Sequence, residues 1–306
     1  MHKTENPVFF DEVKNSVTHV SKAGIFNLSS IAELQHNCRS YGFGIKYVTE
    51  GTERYRINNK LYTVNQEHFL LVNGEKNTSV EIDSKTHVKG MCIHLSNELV
   101  QEVIASYCAP DTPISDLQLS NFFYTDEFLE NKYSANQNAL GQKLLQLEST
   151  IQSKLLFEEH INTEFYYELA CAMIQDQTSV FKQLQNIKSV KSETKKDLYR
   201  RILKGKELMD EQFENDLSIE QIAIFAGMSE FHFFRLFKQI IGLSPYQYIL
   251  RNRLLKAHRL LCSGFSVSDV AFACGFSSIF TFSKSFKKMF GVPPSEHYLI
   301  QLNHSA

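Results

Sequence analysis

The sequence predicts a two-domain α+β chain: an N-terminal antiparallel β-barrel (jelly roll) with trailing helices, then an all-α unit built on a doubled helix-turn-helix. Three observations carry this. A length of 306 residues exceeds what one hydrophobic core usually serves. Short runs of β-branched and aromatic residues, divided by turn formers, fill the stretch from Tyr41 to Leu95. One motif also occurs twice, at Ser218 to Ser229 and at Ser266 to Ser277, with the same offset at every position. The expected boundaries are 1–181 for the first domain, 182–194 for a polar, lysine-rich linker and 195–306 for the second domain.

The repeat reads as two helix-turn-helix motifs, over 218–241 and 266–290. Ser218 with Gln221 three residues later is a capping box, and Ser266 with Asp269 is a close variant. Ala223 and Ala271 suit a close crossing by a second helix, and Gly227 and Gly275 suit a left-handed helix exit. Ser229 and Ser277 suit the N-cap of each second helix. Beyond the turn the copies realign with one extra residue in the second, so that Phe233, Arg235, Phe237, Lys238 and Gly242 answer to Phe282, Lys284, Phe286, Lys287 and Gly291. In the first copy Phe233, Phe237, Ile240 and Ile241 share one face, which leaves Phe231, Arg235, Lys238 and Gln239 on the other. The stretch from Ser244 to Cys262 between the copies is apolar and basic at helical spacing. A helix of that length spans about 27 Å, close to the ~34 Å between successive major-groove entries on one side of a duplex.

Charge is divided along the chain. Residues 1–194 carry 17 Lys+Arg against 24 Asp+Glu, and residues 195–306 carry 15 against 10, giving −7 and +5 and the total of −2. A basic C-terminal part suits phosphate neutralisation, which the acidic N-terminal part does not. The six cysteines (Cys38, Cys92, Cys108, Cys171, Cys262, Cys274) form no C-x-x-C pair, so neither a zinc site nor a disulfide framework is expected. Cys262 and Cys274 fall on apolar helix faces as expected buried thiols. The N-terminus has no apolar signal region and no run of 18 apolar residues occurs. The expectation is a cytoplasmic protein with no membrane partner.

The stretch Arg200 to Leu299 resembles the DNA-binding domain of the AraC/XylS family of bacterial transcription regulators. The matching residues include Arg235-Leu-Phe-Lys238, Gly242-Leu-Ser-Pro245, Arg253-Leu-Leu-Lys-Ala257, Ala271-Phe-Ala-Cys-Gly-Phe276 and Gly291-Val-Pro-Pro-Ser295. The resemblance implies a non-enzymatic regulator without cofactors that binds double-stranded DNA at a promoter operator, and RNA polymerase as a further partner. By position against the family, Phe231, Phe234 and Arg235 read bases from the first helix, and Phe280, Thr281, Ser283 and Lys284 from the second. Core packing is the competing role for Phe234. Arg235 suits a fork onto guanine, and Phe231, Phe280 and Thr281 suit thymine methyl groups. Lys238, Lys287 and Lys288 suit phosphates, which position the protein without reading sequence. Lys284 stands where the family usually has arginine and Phe280 where it has a small or polar residue, so the second helix is expected to read less tightly.

The N-terminal strands are expected at Gly42 to Thr49, Glu53 to Ile57, Lys60 to Val64, Phe69 to Val72, Ser79 to Ile82 and Val88 to His94, with a hairpin turn at Asn58-Asn59. This part resembles the cupin-like sensor domains that precede AraC-type modules, through Tyr47-Val-Thr-Glu-Gly51 and the stretch from Tyr55 to Lys60. That resemblance implies a small-molecule effector. Tyr47, Arg54, Tyr55, Arg56, His68, Lys89 and His94 are the candidate pocket residues, although strand alternation turns only about half of them inward. His68, His87 and His94 are placed on separate strands, so no metal cluster is expected. A ligand-independent regulator whose N-terminal part serves dimerisation or partner binding, and a metal-dependent cupin enzyme with an appended module, are the alternatives.

Ser96 is expected to cap a helix from Asn97 to Tyr107, and Pro110 and Pro113 to interrupt the chain beyond it. Phe122 to Phe128 is expected to cover the barrel. Leu140, Leu144, Leu147 and Ile151, then Ile161, Phe165, Leu169 and Met173, make two apolar stripes of an antiparallel helix pair. They serve either packing within the domain or the seam of a homodimer, as the family often has. Thr194 with Asp197 is expected to open a helix from Lys195 to Phe213.

Overall fold

The computed structural model describes residues 8–11, 16–39, 42–74, 76–107, 114–152, 161–188 and 191–296. Its contacts divide the chain into two units, Met1–Lys182 and Gln183–Ala306. Pro110, Pro113 and Cys108 lie outside the described residues. No helix among the described residues is long and apolar enough to cross a membrane.

The first unit is a nearly closed antiparallel barrel with helices on one face. Its strands are β1 (Val8–Asp11), β2 (Ser16–Val20), β3 (Gly24–Arg39), β4 (Phe43–Glu50), β5 (Thr52–Ile57), β6 (Lys60–Asn65), β7 (His68–Asn73), β8 (Asn77–Leu95) and β9 (Asn131–Ser134). The sheet runs β1-β2-β3-β8-β4-β7-β9, and β5 pairs with both β6 and β8. The β5–β6 hairpin closes at Asn58 and Asn59, both with positive φ (45° and 68°), and Ile57 pairs with Lys60. That two-residue turn matches strand twist, and asparagine tolerates its left-handed backbone.

Two expectations about the strands are corrected. Ser79 to Ile82 and Val88 to His94 are not two strands but parts of the single strand β8. The polar residues between them lie at a register shift against β3, where Glu33 pairs with Asp83 and Ile31 with Val88. Their polarity therefore mimics a break while the backbone runs on. His87 and His94 consequently share a strand instead of lying on separate ones. β3 is not among the expected strands, because its polar residues hide any alternation.

Alternation sorts the side chains. Val48, Leu70, Val72, Val80, Ile82 and Val88 form an apolar cluster with Tyr55, Ile57 and Val64 inside the barrel. Phe43, on the opposite face of β4, packs its ring 5.5 Å from Phe123 and 5.4 Å from Phe128, both edge-on. The aromatic stretch thus covers the sheet from outside. Helices α1 (Asn97–Tyr107), α2 (Asp116–Tyr124), α3 (Ala139–Gln152) and α4 (Thr163–Gln185) complete this part. Ser96 caps α1, its Oγ accepting from the Leu99 amide at 3.2 Å. Leu140, Leu144, Leu169 and Met173 are at most 1% exposed, so most of both stripes is spent on packing within the unit.

The second unit contains α5 (Ser192–Gln212), α6 (Ile219–Phe225), α7 (Glu230–Ile241), α8 (Pro245–Cys262), α9 (Val267–Ala273) and α10 (Ile279–Phe290). Helix α4 runs to Gln185 and α5 starts at Ser192, so both helices enter the span 182–194 expected as a linker. Thr194 lies inside α5 rather than capping it, and Asp197 pairs with Arg201 at 2.8 Å. Phe233 of α7 packs against α5 at Gly205, where a Cβ would fall 2.5 Å from its ring. Asp210 ties α5 to α8, accepting from Tyr248 at 2.6 Å and Asn252 at 2.9 Å while pairing with Lys206 at 2.8 Å. A second core joins Leu254, Ala257 and Leu261 of α8 to Val270, Ala271, Phe282 and Phe286. Cys274 is buried in it, whereas Cys262 is only half-buried.

Candidate nucleic-acid interface and barrel interior

Both helix-turn-helix motifs are assembled by contacts local in sequence. In the first, Ser218 Oγ accepts from the Gln221 amide at 3.1 Å and Gln221 Oε1 accepts from the Ser218 amide at 3.0 Å, which closes the capping box. Gly227 has φ 68°, and the Met228 amide reaches back to the Ala223 carbonyl at 2.9 Å. In the second, Ser266 Oγ accepts from the Asp269 amide at 3.2 Å, Gly275 has φ 76°, and the Phe276 amide bonds the Ala271 carbonyl at 3.0 Å. These are Schellman-type exits that satisfy carbonyls otherwise left open. The N-cap of α10 is Ser278, not the expected Ser277, with Thr281 donating its amide to Ser278 Oγ at 3.2 Å. The extra residue of the second copy is thus accommodated in the turn.

Past that turn the two second helices run in the same register, Glu230–Ile241 against Ile279–Phe290. Phe231 and Phe280 occupy the same place in them, and each is 78% exposed. Arg235 and Lys238 follow Phe231 at i+4 and i+7, and Lys284 and Lys287 follow Phe280 in the same way; all four are exposed. Residues so spaced share a helix face. The opposite face is core: Phe233, Phe237, Phe282 and Phe286 are fully buried. Leu236 is buried beside them, whereas Ile241 is only half-buried.

The remaining candidates are placed unevenly. Thr281 and Lys288 are exposed and Ser283 is half-buried. Phe234 is half-buried with its ring 6.4 Å from that of Tyr246, between the core and reading roles. Gln239, assigned to the outer face, donates its amide to the Asn186 carbonyl and is engaged within the unit.

Each turn is held by an arginine from the long helix that precedes the motif. Arg201 of α5 donates to the Gly227 carbonyl at 2.6 Å. Arg253 of α8 donates to the Gly275 carbonyl at 2.6 Å, to Phe213 at 2.5 Å and to Asn215 at 2.8 Å. A planar fork with five N–H donors can serve three carbonyls at once. Arg253 opens one of the family-like stretches, yet its role depends on residues tens of positions away and has no local signature.

In the first unit the seven pocket candidates do not converge. Arg54 faces outward against Glu81 at 4.0 Å, and Lys89 pairs with Glu50 at 2.6 Å on the surface. Arg56 borders an open polar cleft of about 670 Å³ with Asn37, Asn59, Asn77 and Ser79. His68 is half-buried and bonded to the Gln66 carbonyl at 3.0 Å. Tyr47 is buried on the helix-covered face, where its hydroxyl donates to Glu148. Tyr55, His94 and His68, which lies opposite Val48, fall on the interior face of their strands. Tyr55 and His94 meet three residues outside the candidate set: Lys46, Glu53 and Cys92.

Lys46 and Glu53 are buried, at 3% and 5% exposure. Lys46 Nζ lies 2.7 Å from Cys92 Sγ and 2.9 Å from His94 Nε2, and Tyr55 donates its hydroxyl to Glu53. Burial pushes the Glu53 carboxyl up; the Tyr55 bond opposes this, the Cys92 charge adds to it and Lys46 opposes it, leaving it at about 7. A carboxyl raised on folding contributes stability that is full below its unfolded value of about 4.5 and is lost as pH rises through about 7. Glu53→Gln keeps an acceptor for Tyr55 and removes the charge. It should stabilise the protein by about 1 to 3 kcal/mol above pH 7 and by little near pH 5, measured by urea unfolding at the two values. A gain of equal size at both would show that Glu53 is not raised.

Comparison with known proteins agrees with this architecture. A model described as an AraC-like ligand binding domain matches residues 34–169, and one described as a helix-turn-helix domain matches residues 222–298. The HTH-type transcriptional regulator GbdR of Pseudomonas aeruginosa is 34% identical over 90 residues, 29% of this chain and 24% of GbdR. The virulence regulon transcriptional activator VirF of Yersinia enterocolitica is 35% identical over 95 residues, 31% of this chain and 35% of VirF. The chain thus aligns with about a quarter to a third of these relatives' length. A solved AraC-type DNA-binding-domain regulator from Chromobacterium violaceum is 34% identical, covers 34% of this chain and 93% of its own, and has a TM-score of 0.32. Between them the two family models span more than half of the sequence, in the order barrel then helix-turn-helix, and the chain belongs to the AraC family of transcription regulators.

Proposed function

We propose that this protein is a cytoplasmic, sequence-specific DNA-binding transcription regulator, an activator in sign, whose barrel takes up a small-molecule effector. One observation carries the reading: α7 and α10 present the same exposed face, Phe231-Arg235-Lys238 and Phe280-Lys284-Lys287, at equivalent positions of two matched motifs. The 18 residues of α8 between the motifs span about 27 Å, which suits entry into successive major grooves. The exposed phenylalanines suit thymine methyl groups, Arg235 suits guanine, and the lysines suit phosphates. The name of VirF as a transcriptional activator supports the sign of regulation. Recruitment of RNA polymerase belongs to the same reading. A homodimer would use the shallow groove of about 260 Å³ between α3 and α4, lined by the buried Leu147 and the half-buried Phe165.

The test is a pair of substitutions measured against a panel of operator variants. Arg235→Ala should cost about 1 to 3 kcal/mol and relax preference at one base step. Lys238→Ala should weaken binding to all sequences alike and lower the salt slope by about one. A uniform loss for Arg235→Ala would remove its reading role.

A further inference from the structure

We propose that Cys92 is a nucleophilic thiolate site inside the barrel, poised by Lys46 and His94, which takes soft electrophiles of the α,β-unsaturated carbonyl class by covalent addition. The inference deepens the proposed function, since it rests on the barrel being the effector-binding part.

Strand register creates the site. Lys46 of β4 lies directly opposite Cys92 of β8, and Gly44 opposite His94, so that all four share the interior face with Val48, Leu70 and Val72. The three polar side chains form a triangle: Lys46 Nζ to Cys92 Sγ 2.7 Å, Lys46 Nζ to His94 Nε2 2.9 Å, and Cys92 Sγ to His94 Nε2 3.2 Å. A buried ammonium needs a counter-charge. The sulfur in direct contact with it supplies one as thiolate.

Two residues of the site are not fully buried. Cys92 and His94 are only half-buried, and so are Ile25 and Asn27, which pair with them from β3. The second ring nitrogen of His94, Nδ1, is buried without a hydrogen-bond partner, an unfilled polar position of the kind a ligand or a proton completes. An apolar lining beside a thiolate favours a carbon electrophile that carries little charge.

The groups facing Cys92 are Lys46 from β4, Glu53 from β5, His94 from its own strand and the uncharged Asn27 from β3. Burial alone raises the thiol; the charges of Lys46 and His94 and their hydrogen bonds outweigh it and bring it down to about 6. In the addition, Cys92 Sγ bonds to the β-carbon of the electrophile while the carbon–carbon π pair moves into an enolate. The Lys46 ammonium gives the proton that completes the α-carbon and regains one from water. No oxidant or reductant enters.

The test uses the full chain, limiting N-ethylmaleimide, and peptide mass spectrometry of Cys92, Cys171 and Cys262, three half-buried thiols. At slightly acidic pH, Cys92 should react at least about tenfold faster than the other two, with a rate that rises through a midpoint near 6. Lys46→Met should slow it about tenfold and move the midpoint toward the ordinary thiol range, and Lys46→Arg should restore part of both. If Lys46→Met fails to fold, the pH-dependent ultraviolet absorbance of thiolate, wild type minus Cys92→Ser, gives the midpoint directly. A Cys92 that reacts no faster than Cys171, or titrates in the ordinary thiol range, overturns the proposal. Neither arm involves DNA, so failure here leaves the operator-binding test standing, and the reverse also holds.

Discussion

Gly275→Ala should unfold the second helix-turn-helix, at a cost of at least about 3 kcal/mol, while the equivalent Gly227→Ala should cost only about 1 to 2 kcal/mol. Both glycines have left-handed backbones, φ 76° and 68°, so both substitutions bear the strain of an L-residue there. Their surroundings differ. A Cβ on Gly275 would fall 2.1 Å from the Glu214 carbonyl oxygen and 3.1 Å from Arg253 Cζ. Backbone cannot give way as a flexible side chain can. A Cβ on Gly227 would meet only Arg201 Nη1, at an ordinary 3.5 Å. Urea unfolding of the two variants reads the difference, and equal losses would show that backbone conformation alone decides.

Arg253→Met should cost about 3 kcal/mol, and Arg253→Lys should recover only a minor part of it. Three carbonyls lose their donor together: Gly275 in the turn, Phe213 at the C-cap of α5 and Asn215 just beyond. The Phe213 carbonyl also stands at the negative end of the α5 dipole, where a cation is favourable. A lysine presents a point charge and cannot reach all three positions at once. Because Arg253 and Gly275 meet at one node, combining Arg253→Met with Gly275→Ala should destabilise by less than the sum. A Lys variant as stable as the wild type, by the same urea midpoint, would contradict the three-way role.

The range of each interaction sets how legible it is in the sequence. The caps Ser218–Gln221 and Ser266–Asp269, the glycine exits and the buried phenylalanines of α7 and α10 all depend on neighbours within about one or two helical turns. These are legible, and so are the exposed faces around Phe231 and Phe280. Ser278 rather than Ser277 caps α10 because two serines in a row offer the same chemistry, and only the turn's path selects one. The continuity of β8 is hidden in the sequence because its polar middle resembles a loop until β3 is laid alongside. Gln239 looks free until the Asn186 carbonyl is brought to it.

The barrel interior marks the limit more sharply. Lys46 and Cys92 are 46 residues apart, and neither looks unusual in its own strand. Inward or outward facing depends on register, and a shift by one residue exchanges the two faces. By itself the sequence determined the paired helix-turn-helix motifs, their exposed faces and the presence of a strand-rich domain ahead of them, because periodicity and capping are local. Only the tertiary structure decided that Arg54, Arg56 and Lys89 face away from the interior, that Arg253 holds three carbonyls, and that Lys46, Cys92 and His94 meet. Each of these depends on which distant backbone is brought alongside, and pairing between strands or helices is settled by the fold as a whole.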